Sequence, residues 1–279
     1  MLKNWLEENS AGIDLIAEAV RKQVFRAPYA RENENAPIVE MYSGMGGKSC
    51  VWAGAAEARA KYRLGIGDID GAIDDIVTIH RLARHVGKQG MLMSVRPGVL
   101  MEGTAFAIGI GSNPEFPPTK EQIERLLAEL DALPPRQTLS EAIESERLFG
   151  LAGSQDMYWG NWGGDFGDPY WERSFWGKML PHISWGLDIN AYLARANEIY
   201  DALAIPGATI DGKTLDEFVE ARKNPTVSPL SLWASVHKRS IFYADMMAIM
   251  LVPQVQRVHE ELQRCEDVEN EQRLTLLRK

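Results

Sequence analysis

The residues of this chain best suited to chemistry are four carboxylates around a dense aromatic segment. Glu144 and Glu146 share a helical stretch. Asp165 and Asp168 lie in the run Tyr158-Trp159-Gly160-Asn161-Trp162-Gly163-Gly164-Asp165-Phe166-Gly167-Asp168-Pro169-Tyr170-Trp171. Glycoside hydrolysis needs two carboxyl groups roughly 5–10 Å apart. Beside stacking rings, these four are the candidate acid/base groups of a hydrolase acting on a glycan or similar polar substrate. The opposing reading is structural: Glu144 and Glu146 orient neighbouring helices by pairing with Arg147, and Asp with Gly makes turns. The structural reading is favoured for both pairs.

The rings themselves are the second candidate. Five of the eight tryptophans, Trp159, Trp162, Trp171, Trp176 and Trp185, fall between Gln155 and Trp185. Folded inward, each ring would contribute roughly 2–3 kcal/mol by area and cap a helical stack. Facing outward, Trp159, Trp162, Tyr170, Trp171 and Trp176 would form a surface for a protein or polymer partner.

Other motifs carry less. His80, His85, His182, His237 and His259 form neither an HxxxH nor an HExxH pair, so each reads as structural. Met45-Gly46-Gly47-Lys48-Ser49 resembles the end of a phosphate loop. The full spacing needs glycine where Tyr42 stands, and no strand precedes it. Gly109-x-Gly111 reads as a helix terminus. Asp156, Asp165 and Asp168 lack the EF-hand spacing for calcium. No metal or cofactor is expected.

Positioning such residues requires a scaffold, and the sequence predicts an all-α one. An apolar fraction of 45% supplies a sizeable core. The net charge of −9 and the absence of a basic stripe argue against nucleic acid. The most apolar stretch, Val99 to Ile110, is too short to cross a membrane and contains Glu102. Membrane insertion is therefore not expected, and the N-terminus has no signal-peptide pattern. Cys50 and Cys265 read as free thiols.

The helix signals follow one another along the chain. Trp5, Leu6, Ile13, Ile16, Ala17, Val20 and Val24 make a first stripe, with Asn9 or Ser10 as an interior start. A loop spans Ala27 to Ala36. A helix runs from about Ser49 to Leu64, and a second, Ile69 to His85, follows a turn stopped by Gly65 and capped by Asp68 or Asp70. Capping boxes at Thr119-x-x-Gln122, Thr138-x-x-Glu141 and Thr214-x-x-Glu217 open helices to about Ala132, Ala152 and Lys223. A further helix covers Trp185 to Leu203. Ile205 to Ile210 offers a short extended piece. Ser228-Pro229 starts a helix to about Leu251, which Pro253 breaks or kinks. Beyond it, Leu251, Val255, Val258, Leu262 and Cys265 repeat at 4, 3, 4 and 3. The helix continues through Leu274, Leu276 and Leu277, which need a cover: the rest of the domain, further chain, or a second copy in a homo-oligomer.

The turn Tyr62-Arg63-Leu64-Gly65-x-Gly67-Asp68-x-x-Gly71-Ala72-Ile73 resembles that of a tetratricopeptide hairpin. It covers one unit, and no second copy recurs near 34 residues. The chain as a whole is similar to uncharacterised, mostly helical proteins of planctomycete-type bacteria. Trp5-Leu6-x-x-Asn9, the hairpin, Glu144-x-Glu146-Arg147-x-Phe149-Gly150-Leu151 and Glu271-Gln272-Arg273-Leu274 carry that resemblance. It implies a helical domain of a larger, envelope-associated protein and assigns no activity.

The sequence thus predicts one helical domain over 1–279, with a sub-boundary near 153–172 and tetratricopeptide-like packing without regular repeats. The expected function is a non-enzymatic scaffold or binding domain; the glycan hydrolase is the alternative. The compartment is either cytoplasmic or the outside of a membrane to which the protein is anchored.

Overall fold

The computed structural model describes residues 2–22, 45–89, 92–110, 113–158, 188–205, 209–223 and 235–278. The fold is all-α. In chain order the elements are α1 (Leu2–Ala19), α2 (Met45–Gly65), α3 (Ile69–Gly87), α4 (Leu92–Ala107), α5 (Lys120–Asp131), α6 (Leu139–Tyr158), α7 (Ile189–Ala204), β1 (Thr209–Ile210), β2 (Lys213–Thr214), α8 (Leu215–Lys223) and α9 (Val236–Leu277). They fall into two compact units. The first comprises Met1–Pro28, Gly44–Thr138 and Val258–Lys279; the second comprises Tyr29–Ser43 and Leu139–Arg257.

The first unit is built on α3, a helix buried on nearly every face. Ala72, Ile73, Ile76, Ile79 and Leu82 are all within its core. α2 meets it with small residues, Ala53, Ala56 and Ala60, so the two backbones approach closely. The turn between them places Gly67 in the left-handed region, at φ +83°. A side chain there would also strike the Phe116 ring. Asp68 caps α3 by accepting from the Gly71 N–H at 3.0 Å. α4 crosses the other side of α3 at Gly98, where a Cβ would sit 2.9 Å from the Ala83 carbonyl and 3.1 Å from the Gly87 Cα. α5 opens with the expected capping box, Thr119 and Gln122 bonding each other's backbone reciprocally. The C-terminal part of α9 supplies Val258, Cys265 and Leu276 to this interior.

In the second unit α6 packs on α7, which Asp188 caps through the Ala191 N–H. β1 and β2 form a two-residue hairpin with Ile210 paired to Lys213. Its turn, Asp211-Gly212, has positive φ at both positions (52° and 71°), as a type I′ turn demands. Thr214 and Glu217 form the capping box of α8. Ile210 and Phe218 are fully buried beside Ala244, Ala248 and Leu251 in the apolar interior.

Several expectations need correction. α1 runs unbroken through Asn9 and Ser10, whose side chains bond back to the carbonyls of Trp5 and Glu7 instead of starting a helix. α2 begins at Met45, so Gly46-Gly47-Lys48 is its first turn. α4 fills the stretch read only as apolar, with Pro97 inside it. α6 continues to Tyr158, beyond Ala152. The extended piece is confined to Thr209–Ile210. Pro253 does not end α9, because Leu251, Val252 and Val255 are buried around it and hold the helix in register. The loop at Ala27–Ala36, Trp185, and the start at Ser228-Pro229 lie outside the described residues.

Candidate functional site

The first unit buries several charges, and one group of them forms a network around Glu102 and Glu269. Arg84 of α3 pairs with Glu102 of α4 and, at 3.4 Å, with Glu269 of α9. Arg136, just before α6, reaches Glu102 through Nε at 2.6 Å and Glu269 through Nη2 at 2.5 Å. Arg273 joins Glu269 at 3.0 Å to Asp131 at 2.5 Å. Three guanidiniums thus face three carboxylates, and their formal charges cancel. Glu102 is 3% exposed, a burial tolerable only with such partners. The Cys265 thiol donates to Glu102 Oε2 at 3.1 Å. Burial and the neighbouring carboxylate push that thiol up to about 12, which keeps it protonated and unreactive. Both cysteines are free.

A second cluster locks α1, α2 and α3 together. Asp75, 1% exposed, accepts from Arg59 at 2.7 and 3.0 Å and from Arg63 at 2.9 Å, while Arg59 also reaches Asp14 at 2.5 Å. The second unit has its own hub in Arg195 of α7. It pairs with Asp211 of the hairpin turn at 2.6 Å, Asp245 of α9 at 2.7 Å and Glu198 at 2.7 Å. Its guanidinium also lies 5.3 Å from the Phe218 ring centroid. Burial alone would lower its pKa, but the hydrogen bonds it donates to Asp211, Asp245 and Glu198 outweigh that and raise it.

Within the first unit lies a cavity of about 320 Å³. Ile76 and His80 of α3, Ile108 and Ile110 after α4, and Leu126 and Leu130 of α5 form its walls. α9 closes it with Val268, Glu271, Gln272, Thr275 and Leu276. Glu271 and Thr275 are exposed, so they mark its mouth. Gln272 is fixed by donating to the Phe106 carbonyl at 2.9 Å. His80 is 1% exposed, and its Nδ1 is buried without a hydrogen-bond partner in the protein. Its ring leans on Phe106 at 4.7 Å between centroids. Burial, then the positive fields of Arg84, Arg136 and Arg273, push the imidazole down to about 3. The side chain is therefore neutral at physiological pH, with one donor and one acceptor nitrogen.

Of the site residues singled out from sequence, Glu144 and Glu146 are among the described residues. Glu144 is on the surface and pairs with Arg147 at 3.3 Å. Arg147 bridges onward to Asp201 at 2.5 Å and sits 5.7 Å from the Tyr200 ring centroid. Tyr200 in turn donates to the backbone carbonyl of Glu146 at 3.3 Å. Two positions apart on one helix, Glu144 and Glu146 point to different sides and do not form a facing carboxylate pair. Asp165, Asp168, Trp159, Trp162, Tyr170, Trp171 and Trp176 lie outside the described residues, as do Trp185 and His182.

The His85 ring contacts the Val20 carbonyl at 3.0 Å, and His237 meets Asp188 at 3.3 Å. Among the described residues, no group of three His, Cys, Asp or Glu is placed to hold a metal ion. No helix among them is long and apolar enough to cross a membrane. Set against family models, curated proteins and solved structures, the chain finds no match in any of the three.

Sequence reasoning overlooked the cavity entirely. The available signal was His80 standing four residues after Ile76, one turn along the apolar face of α3. What makes the position unusual is the polar atom left unpaired there, and that depends on α4, α5 and α9 closing around it.

Proposed function

We propose that this chain is a non-enzymatic helical scaffold or binding domain. One observation carries the reading: the described interior charges are engaged with one another and fasten helices together. Glu102, Glu269 and Asp131 neutralise Arg84, Arg136 and Arg273, and Asp211 and Asp245 hold Arg195. A catalytic acid or base needs a proton poised for exchange near the working pH. Carboxylates clamped by arginines are instead held rigid in the frame. The arrangement supports a frame that presents surfaces.

The partner in this reading is a protein or a polymer, met through the aromatic segment around Trp159 and Trp162, within a larger envelope-associated protein. The test is affinity electrophoresis in gels cast with soluble glycans, together with a peptide array. Wild-type protein and a Trp159→Ala/Trp162→Ala variant would be compared, and reducing ends assayed in parallel. Retention by one partner class, lost in the variant and without release of reducing ends, is expected. Steady release of reducing ends would overturn the reading in favour of the hydrolase. Retention unchanged in the variant would remove the aromatic segment from it.

A further inference from the structure

The cavity beside α9 has a shape and polarity that specify what fits it. Its volume of about 320 Å³ is roughly twice the ~150 Å³ apolar cavity that accommodates a benzene ring. It stands at the low end of ligand sites, which run from about 300 to 1,000 Å³. A molecule of about two fused rings matches it.

Polarity narrows the choice further. The walls are chiefly Ile76, Ile108, Leu126 and Leu130, so the body of the ligand is apolar. His80 lines the same space, more than nine-tenths buried, with Nδ1 unpartnered in the protein. Buried polar atoms in folded proteins overwhelmingly have partners, and among the wall residues His80 carries one that has none. Charge is disfavoured on two counts. The positive field that Arg84, Arg136 and Arg273 impose on His80 disfavours a cation there. Glu271 at the mouth adds a negative charge that repels an anion.

From these features we infer that the cavity is a small-molecule site for an uncharged, two-ring aromatic compound bearing one hydroxyl or N–H, which bonds the His80 imidazole. This goes beyond the scaffold reading and does not depend on it. The His80 ring stays neutral in the folded protein, so it pairs with a neutral hydroxyl as donor or acceptor without a charge to attract ions.

Equilibrium dialysis with 2-naphthol, naphthalene and 2-naphthoate tests the inference on the full chain. Wild-type protein is expected to retain 2-naphthol at one per chain. Naphthalene should bind roughly fivefold more weakly, the worth of one net hydrogen bond. 2-Naphthoate should not be retained. His80→Phe should keep naphthalene binding and abolish the advantage of 2-naphthol. Thr275→Trp, at an exposed helical position on the mouth, should block both 2-naphthol and naphthalene while circular dichroism stays unchanged. If His80→Phe does not fold, the ring ¹⁵N shifts of His80 in the wild-type protein serve instead; they should move on adding 2-naphthol and not on adding naphthalene. Retention of none of the ligands means a cavity filled by water alone and overturns the site. Binding that survives Thr275→Trp places the ligand elsewhere and also overturns it. Equal affinity for naphthol and naphthalene refutes the role given to His80.

Discussion

His80 shows how one residue can weaken a fold while equipping it. A buried, unpaired polar atom costs about 1–3 kcal/mol relative to a satisfied one. Phenylalanine at this position would keep the contact with Phe106 and remove the unpaired nitrogen. His80→Phe is therefore expected to stabilise the protein by about 1 kcal/mol in urea unfolding at pH 7. The pH dependence gives a sharper signature. In the unfolded chain this imidazole takes up a proton near pH 6.5, whereas in the folded protein it does so only at about 3. Between those values the unfolded state binds more protons, so stability falls as pH falls. His80 alone should contribute a loss of about 1.4 kcal/mol per pH unit across that window. Unfolding of wild type and His80→Phe at pH 7.0, 6.0 and 5.0 should show the gap widening in favour of the variant. Parallel curves would sink the assignment. The sequence supported a structural role for His80. It held no trace of the unpaired nitrogen, because residues of α4, α5 and α9 create that condition.

Helices were legible where their signals are local. Thr119 with Gln122, Thr214 with Glu217, and Asp68 before Gly71 specify N-termini within four residues, and all three act as expected. α4 was missed for the same reason. Pro97, Gly98 and Gly103 are local helix breakers, and only packing against α3 overrules them. The two glycines play opposite parts. Gly98 faces backbone: a methyl group there would lie 2.9 Å from the Ala83 carbonyl and 3.1 Å from the Gly87 Cα, and neither can swing aside as a side chain would. Gly103 has nothing within 4 Å of its position. Glycine to alanine in a helix ordinarily gains about 0.5–1 kcal/mol. Gly103→Ala should realise that gain. Gly98→Ala should reverse its sign and cost about 1–3 kcal/mol by forcing α3 and α4 apart. Thermal unfolding of the two variants against wild type checks this, and a stabilised Gly98→Ala would show that the helices do not cross so closely.

At the scale of the whole molecule, the least legible feature was the joining of remote segments by charge. Glu102 entered the sequence argument only as a residue that spoils a membrane span. In the structure it forms an ion pair with Arg84 and accepts from Arg136 and the Cys265 thiol. Arg84 also reaches Glu269, 185 positions further along the chain. No periodicity or spacing encodes a pairing over that distance. The residues have ordinary surface chemistry until the first unit closes and the last stretch of α9 arrives. The network should therefore behave as a balanced whole, with its charge count mattering more than any one bond. Glu269→Met leaves three guanidiniums facing Glu102 and Asp131 alone, and an uncompensated buried charge costs about 3–5 kcal/mol. Arg136→Met alone leaves an excess carboxylate and should also destabilise. The combination Arg136→Met/Glu269→Met restores equality, with Arg84 and Arg273 facing Glu102 and Asp131. It should recover much of the loss, since buried ion pairs replaced by apolar groups of similar volume are often neutral. Denaturant unfolding of the single and double variants gives the coupling directly. A double variant as unstable as the sum of its parts would show that individual contacts, and not neutrality, hold the first unit together.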